Sequence, residues 1–249
     1  MMTGYFASAP TEMRSDIRHA IEIAWSALGQ CGAWLTAAER CAVAAEARRA
    51  WDCSLCRQRH QALSPYTVGG IHDHGDDLPD RWVEVIHRVV TDSGRLTEAW
   101  LRDQLSDDEG LLEDEYVEII SVAIIATAID VFCDATGMSP ARLPVVTNDL
   151  PPERVRRADA APGPGWIATI APQDAAADFV DFYANDSHFF IRRALTLVPP
   201  EVRRFFGLFN ILYMPDPRLY EFDGLERAIG RAQAEYLAAR ASARLGCYY

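Results

Sequence analysis

"YVEIISVAIIATAIDVFCDATG", Tyr116–Gly137, is the most apolar stretch of this 249-residue chain, and its reading decides the fold. Glu118 and Asp130 interrupt it, so the uncharged run between them is too short to cross a bilayer. The stretch is expected to form a helix buried over about 113–137 and closed by Gly137, a natural C-terminal cap. Helical spacing continues on both sides of it. "TEMRSDIRHAIEIAWSAL" (11–28) repeats its apolar residues at helical intervals. "TAAERCAVAAEARRAW" (36–51) opens on Thr36 with Glu39 three residues later, the pattern of a capping box. "LPDRWVEVIHRVV" (78–90) sets Pro79 near a helix start and Trp82, Val85, Ile86 and Val89 on one face.

After Gly137 the pattern changes. Seven of the 14 prolines fall between Pro140 and Pro172, with Gly163 and Gly165 among them. Such a segment excludes helix and interior strand, so 138–177 is expected to be a semi-extended connector. Helical patterns return in "SHFFIRRALTLV", "PPEVRRFFGLFNILYM" and "LERAIGRAQAEYLAARASARLGCYY", and the last predicts one long helix over 223–249 with Cys247 near its exposed end. No β-alternation is evident. The fold class is therefore all-α: a helical half at 11–137, the Pro-rich connector at 138–177 and a second helical half at 178–249.

Composition narrows the function classes. With 49% hydrophobic and 24% charged residues the chain has the balance of a soluble globular protein. A net charge of −12 argues against nucleic acid and anionic membrane surfaces as partners. The first ten residues, "MMTGYFASAP", have neither the basic start nor the apolar core of a signal peptide, so a cytoplasmic location is expected. There, six cysteines are candidates for catalysis or metal binding rather than a disulfide framework.

"WDCSLCRQRH" (51–60) holds Cys53, Cys56 and His60. On a helix, steps of three and four residues put them on one stripe, and Glu46, seven residues before Cys53, joins it. With Asp52 as cap, the cysteines would lie in a first helical turn, where the helix dipole favours thiolate. A thiolate attacks, a neighbouring thiol closes a disulfide on it, and a histidine one turn on moves the proton; these are the parts of a thiol peroxidase or disulfide reductase. Two small buried apolar residues beside a surface histidine would have the same sequence. Zinc is the rival chemistry: "GGIHDHGDDLPD" supplies His72, Asp73, His74, Asp76 and Asp77, so Cys53, Cys56 and two histidines would make a ligand set. The spacing is irregular and the loop reads equally well as a solvated lead into the next helix, with Asp77 as its cap, so no metal ligands and no cofactor are assigned from the sequence.

Cys-x-x-Cys-x-x-x-His on a helix resembles the alkylhydroperoxidase D-like group of the carboxymuconolactone decarboxylase superfamily. The order of the segments "AERCAVAAEARRAWDCSLCRQRHQALSPY", "HDHGDDLPDRWVEVIHRVVTDSGRLTEAW", "DEYVEIISVAIIATAIDVFCDATG", "RALTLVPPEVRRF" and "RAQAEYLAARASARLGCYY" resembles the alkylhydroperoxidase-related (seleno)proteins over most of 36–249. The resemblance implies an all-α fold of two related halves and a thiol- or selenol-dependent hydroperoxide reductase. It implies a hydroperoxide substrate, a dithiol reductant and a homo-oligomer. It also implies a C-terminal motif, Glu-x11-Cys-x-Tyr followed by cysteine or selenocysteine, onto which Glu235, Cys247 and Tyr249 map. The next residue would be the reactive one, so the chain is expected to be a reading cut at a selenocysteine codon. An offset of 194 residues superimposes Cys53 on Cys247 but sets Cys41 where Glu235 stands, which leaves Glu46 or Glu39 to supply the carboxylate of the N-terminal copy. In that copy Cys56 would attack, Cys53 resolve and His60 relay protons. The alternative class is a non-catalytic helical scaffold or thiol redox sensor.

Overall fold

The computed structural model describes residues 13–105, 110–148, 150–183, 190–214 and 227–247. Their regular structure is helical: α1 (Ser15–Leu28), α2 (Ala37–Arg49), α3 (Ser54–Gln61), α4 (Asp80–Asp92), α5 (Glu98–Leu105), α6 (Glu113–Ala135), α7 (Phe190–Arg193), α8 (Pro199–Leu212) and α9 (Arg231–Arg244). Among the described residues the only β pairing is an isolated bridge, Ala161 with Thr169. The fold is all-α.

α6 is the axis of the molecule. Val117, Ile119, Val122, Ala123, Ile125, Ala126 and Ile129 are all buried, and α1, α2, α4 and α8 pack around them. Burying each of the valine and isoleucine side chains contributes about 1.5–3 kcal/mol, which outweighs the modest helix propensity of this β-branched run. Contrary to the expectation drawn from Glu118 and Asp130, α6 is by length and composition long and apolar enough to cross a membrane; 61% of its most apolar window is buried inside the fold, as in a core helix. Gly137, at φ +69°, closes it. Thr36 caps α2 with the reciprocal Glu39 bond of a capping box, and α4 starts at Asp80 directly after Pro79, which stands at the cap position expected for Asp77.

The connector contains no helix before the 3₁₀ turn at Val180–Tyr183 among its described residues. It straps the α1–α2 corner: Trp25 Nε1 donates to the Arg142 carbonyl (2.8 Å), Thr147 N to the Gly29 carbonyl and Arg154 N to the Ala33 carbonyl. One continuous apolar core runs from Ile21 in α1 to Leu208 in α8 and takes in Ala168, Ile170 and Phe179 on the way.

The C-terminal region differs from expectation. The described part of "SHFFIRRALTLV" forms only the single turn α7. The helix expected over 223–249 is α9, fourteen residues long, starting after Gly230 and ending before Gly246. Gly246 takes φ +67° and Cys247 N donates to the Ser242 carbonyl (2.9 Å), a Schellman stop. Tyr236, Leu237 and Leu245 are exposed and only Ala234 is buried, so the apolar pattern of α9 makes no core-facing stripe. Under the 194-residue offset α9 stands in register with α2, whose Val43, Ala44 and Ala47 are in contrast core residues. Residues 215–226 and Tyr249 lie outside the described part.

A buried ionic cluster ties three helices together. Arg40 of α2 bonds Glu118 of α6 and Glu201 of α8 (2.9 Å to the latter), and all three side chains are fully buried. Glu118 also accepts from Trp34 N (2.8 Å) across the close approach of Gly32. A Cβ on Gly32 would sit 1.5 Å from Glu118 Oε1 and 2.8 Å from an Arg40 nitrogen. Gly32→Ala is therefore expected to cost about 1–3 kcal/mol, seen as a lower urea midpoint at unchanged slope; an unchanged midpoint would refute the close approach.

Candidate functional site

The candidate site begins where α2 stops. After Arg49 the chain makes a 3₁₀ turn, Ala50–Asp52, and Cys53 is the extended residue before α3. Glu46, Cys53 and Cys56 thus do not share a helical stripe. The cap expected from Asp52 comes instead from Asp73, whose carboxylate accepts the Ser54 N–H at 2.7 Å. That bond holds the loop at 68–79 against the start of α3 and delivers His72. The fourth member, His87, projects from α4 and is fully buried.

Four potential donor atoms converge. Cys53 Sγ lies 3.4 Å from His72 Nδ1; Cys56 Sγ lies 3.5 Å from the same nitrogen and 3.3 Å from His87 Nδ1. All four ligating atoms are within 4.8 Å of one another. Each histidine is held from behind. His87 Nε2 donates to Glu46 Oε1 at 2.8 Å, and His72 Nε2 to Glu84 Oε2 at 2.8 Å. An ionised carboxylate only accepts, so each Nε2 carries a proton and both Nδ1 atoms face the sulfurs. The result is two parallel chains, Cys56–His87–Glu46 and Cys53–His72–Glu84.

The carboxylates are themselves fastened. Glu46 accepts from Arg49 (2.9 Å) and from Gly75 N (3.2 Å); a Cβ on Gly75 would meet the Arg49 guanidinium at 2.4 Å and displace it from this position. Glu84 accepts from Arg59 (2.7 Å) and Trp100 Nε1 (3.2 Å). Burial alone would raise the Glu84 carboxyl, but the bonds from His72 and Arg59 prevail and hold it at about 2. Glu46 is likewise below the ordinary carboxylate value, its burial outweighed first by His87 and then by Gly75 and Arg49. Burial lowers His72, which favours the neutral ring. Burial also pushes the Cys56 thiol up to about 12, with Cys53 adding to the rise. At Cys56 the expectation of a dipole-stabilised thiolate is not met: at this helix start desolvation outweighs the dipole and favours the thiol.

Solvent reaches the site at Cys56. A pocket of about 210 Å³ is lined by Trp51, Cys56, Arg57, His60 and Thr91 among others. Of the four converging residues only Cys56 lines it; Cys53 is fully buried.

The residues expected from sequence divide accordingly. Cys53, Cys56 and Glu46 are brought together. His60 is exposed on the pocket wall and is not among the four converging donors; His87 and His72 stand at the sulfurs instead. Of the two histidines in the acidic loop, His74 is turned to the Gly75 carbonyl (2.5 Å) and toward Asp80. Glu235 accepts from Tyr213 Oη (3.0 Å) and pairs with Arg231 (2.8 Å). Twelve residues of mostly helical chain, about 18 Å at full helical rise, separate it from exposed Cys247. His87 and Glu84 were not singled out by sequence reading. The available signal was a histidine directly after Ile86 and four residues after Val83, hence on the buried side of an amphipathic helix.

Comparison with protein-family models, with curated proteins and with solved structures finds no match for this chain, so the reading of the site rests on its own geometry.

Proposed function

We propose that the protein is a dithiol hydroperoxide reductase in which Cys56 attacks, Cys53 resolves, and His87 with Glu46 moves the proton. The observation that carries this reading is the buried Cys56–His87–Glu46 chain, whose Cys56 end lines a pocket sized for a small hydroperoxide. Nucleophile, base and orienting carboxylate at hydrogen-bonding distances are the arrangement that activates a neutral thiol.

In the first step the Cys56 sulfur attacks the terminal peroxide oxygen. The S–O bond forms as the O–O bond breaks, and His87 Nδ1 passes the thiol proton to the departing alkoxide, giving Cys56 sulfenic acid and an alcohol. In the second step the Cys53 thiol attacks that sulfur, the S–S bond forms and water leaves. An external dithiol returns both cysteines to thiols by exchange. The two sulfurs, within 4.8 Å of each other, need only a modest closure to reach bonding distance of about 2.05 Å.

The reduced protein treated with one equivalent of tert-butyl hydroperoxide tests this. Two thiols per chain are expected to disappear, and peptide mass spectrometry should find a Cys53–Cys56 disulfide. Cys53→Ser should stop at a sulfenic acid on Cys56 that dimedone captures. Oxidation confined to Cys247 or Cys31, with Cys53 and Cys56 still reduced, would overturn the assignment.

A further inference from the structure

We infer that Cys53, Cys56, His72 and His87 form a tetrahedral site for a zinc-class divalent cation, a capacity separate from hydroperoxide reduction. Two thiolates and two imidazoles are the donor set that selects zinc, or cobalt and ferrous iron in its place, over the hard cations magnesium and calcium. Metal bonds of about 2.3 Å to sulfur and about 2.0 Å to nitrogen, at tetrahedral angles, place sulfur and nitrogen about 3.5 Å apart. Three of the four sulfur–nitrogen distances in the cluster are 3.3, 3.4 and 3.5 Å, and the fourth, from Cys53 to His87, lies within 4.8 Å.

The surroundings give an independent reason. Both rings present Nδ1 inward because both Nε2 atoms are held by carboxylates, Glu46 and Glu84. This carboxylate–histidine backing is what fixes tautomer and ring direction around a metal. It occurs twice here, on histidines from a loop and from a helix, with ring centroids 4.2 Å apart. The charge also balances. Binding releases the two thiol protons, so a dication with two thiolates and two neutral imidazoles is electrically neutral, as a buried site requires.

Four protein donors leave no open coordination position, so the cation would be held rather than used as a Lewis acid. It would also engage the Cys56 sulfur that faces the pocket. Metal binding and attack on a hydroperoxide therefore exclude each other at any moment, and a loaded dithiol is expected to be shielded from oxidation.

Anaerobic titration of the reduced full-length protein with cobalt(II) tests the site. An intense visible absorption of tetrahedral cobalt with a near-ultraviolet thiolate charge-transfer band is expected. Both should saturate at one equivalent and be abolished by added zinc. Glu84→Gln should weaken cobalt binding about 10–100-fold while keeping the band shape, and Cys53→Ser should lose much of the charge-transfer intensity. A weak octahedral spectrum from wild-type protein, or saturation beyond one equivalent, overturns the inference without recourse to any variant. So does a spectrum unchanged in Cys53→Ser. The two readings fail separately: hydroperoxide-driven formation of the Cys53–Cys56 disulfide is scored on metal-free protein, cobalt ligation without any oxidant.

Discussion

His87→Ala is expected to lower kcat/KM for hydroperoxide reduction by about 10²–10⁴-fold, the usual contribution of a positioned general base. The loss corresponds to about 3–5.5 kcal/mol of transition-state stabilisation. It should be large because the Cys56 thiol is held protonated by burial, so attack requires a group to accept the proton, and His87 Nδ1 at 3.3 Å is placed to do so. Glu46→Gln should give a smaller loss, since the amide preserves shape but no longer stabilises a charged ring. His60→Ala should leave the rate nearly unchanged, because His60 is exposed and stands outside the sulfur–imidazole cluster. Removing His87 also takes from the buried Glu46 carboxylate one of its three partners, Arg49 and Gly75 N remaining, and should reduce stability by about 1–3 kcal/mol. Single-turnover rates on protein verified as folded by circular dichroism separate the two effects. A His87→Ala protein as fast as wild type, beside a slow His60→Ala protein, would return the proton transfer to the residue four positions after Cys56.

The largest expected effect on stability lies elsewhere. Arg40→Met should destabilise the protein by about 3–5 kcal/mol, because it removes the guanidinium that joins the buried Glu118 and Glu201 carboxylates and leaves Glu118 with no cationic partner, Glu201 keeping only Arg204. For a chain of this size that corresponds to a melting temperature lower by roughly 6–20 °C. The pH dependence has a definite sign. In the wild-type protein burial raises Glu118, whereas Glu201 is lowered because Arg40 and Arg204 outweigh its burial. A carboxyl with a lowered folded pKa adds stability above its unfolded pKa and loses it as pH falls through the folded value; one with a raised pKa does the reverse. Without Arg40 both carboxyls shift toward the raised, protonated case. The deficit of Arg40→Met should thus be greatest near neutral pH and shrink on acidification into the carboxylate range. Urea unfolding at the two conditions reads this directly. A deficit that grows on acidification would mean that the arginine is not what neutralises this cluster.

Much of the helical framework was legible because its determinants are local. The apolar run with a terminal glycine at 116–137, the Thr36–Glu39 capping box and the proline before α4 each act over a few residues, and each behaves in the fold as its spacing implies. The proline-rich connector follows from missing N–H donors and locked φ angles, also local properties. Among site residues, Cys53 and Cys56 were recognisable because three residues of chain suffice to bring them together.

Tertiary structure alone decided the rest. Helical periodicity tells which residues of one helix share a face; it does not tell which neighbour that face meets. His60 satisfied the spacing of a proton relay, yet the site at Cys56 is completed by His87, thirty-one residues away, because α4 packs beside α2 and α3. Glu46 was selected on a continuous stripe that the 3₁₀ turn at Ala50–Asp52 interrupts, and it reaches the site through His87 instead. α9 shows the limit from the other direction. Its apolar residues have helical spacing, but Tyr236, Leu237 and Leu245 are exposed among the described residues, and the helix stops at a left-handed Gly246. Local sequence determined which segments are helical; burial and the docking of one helix on another determined which side chains became a site, since desolvation and donor–acceptor geometry exist only once the chain has packed.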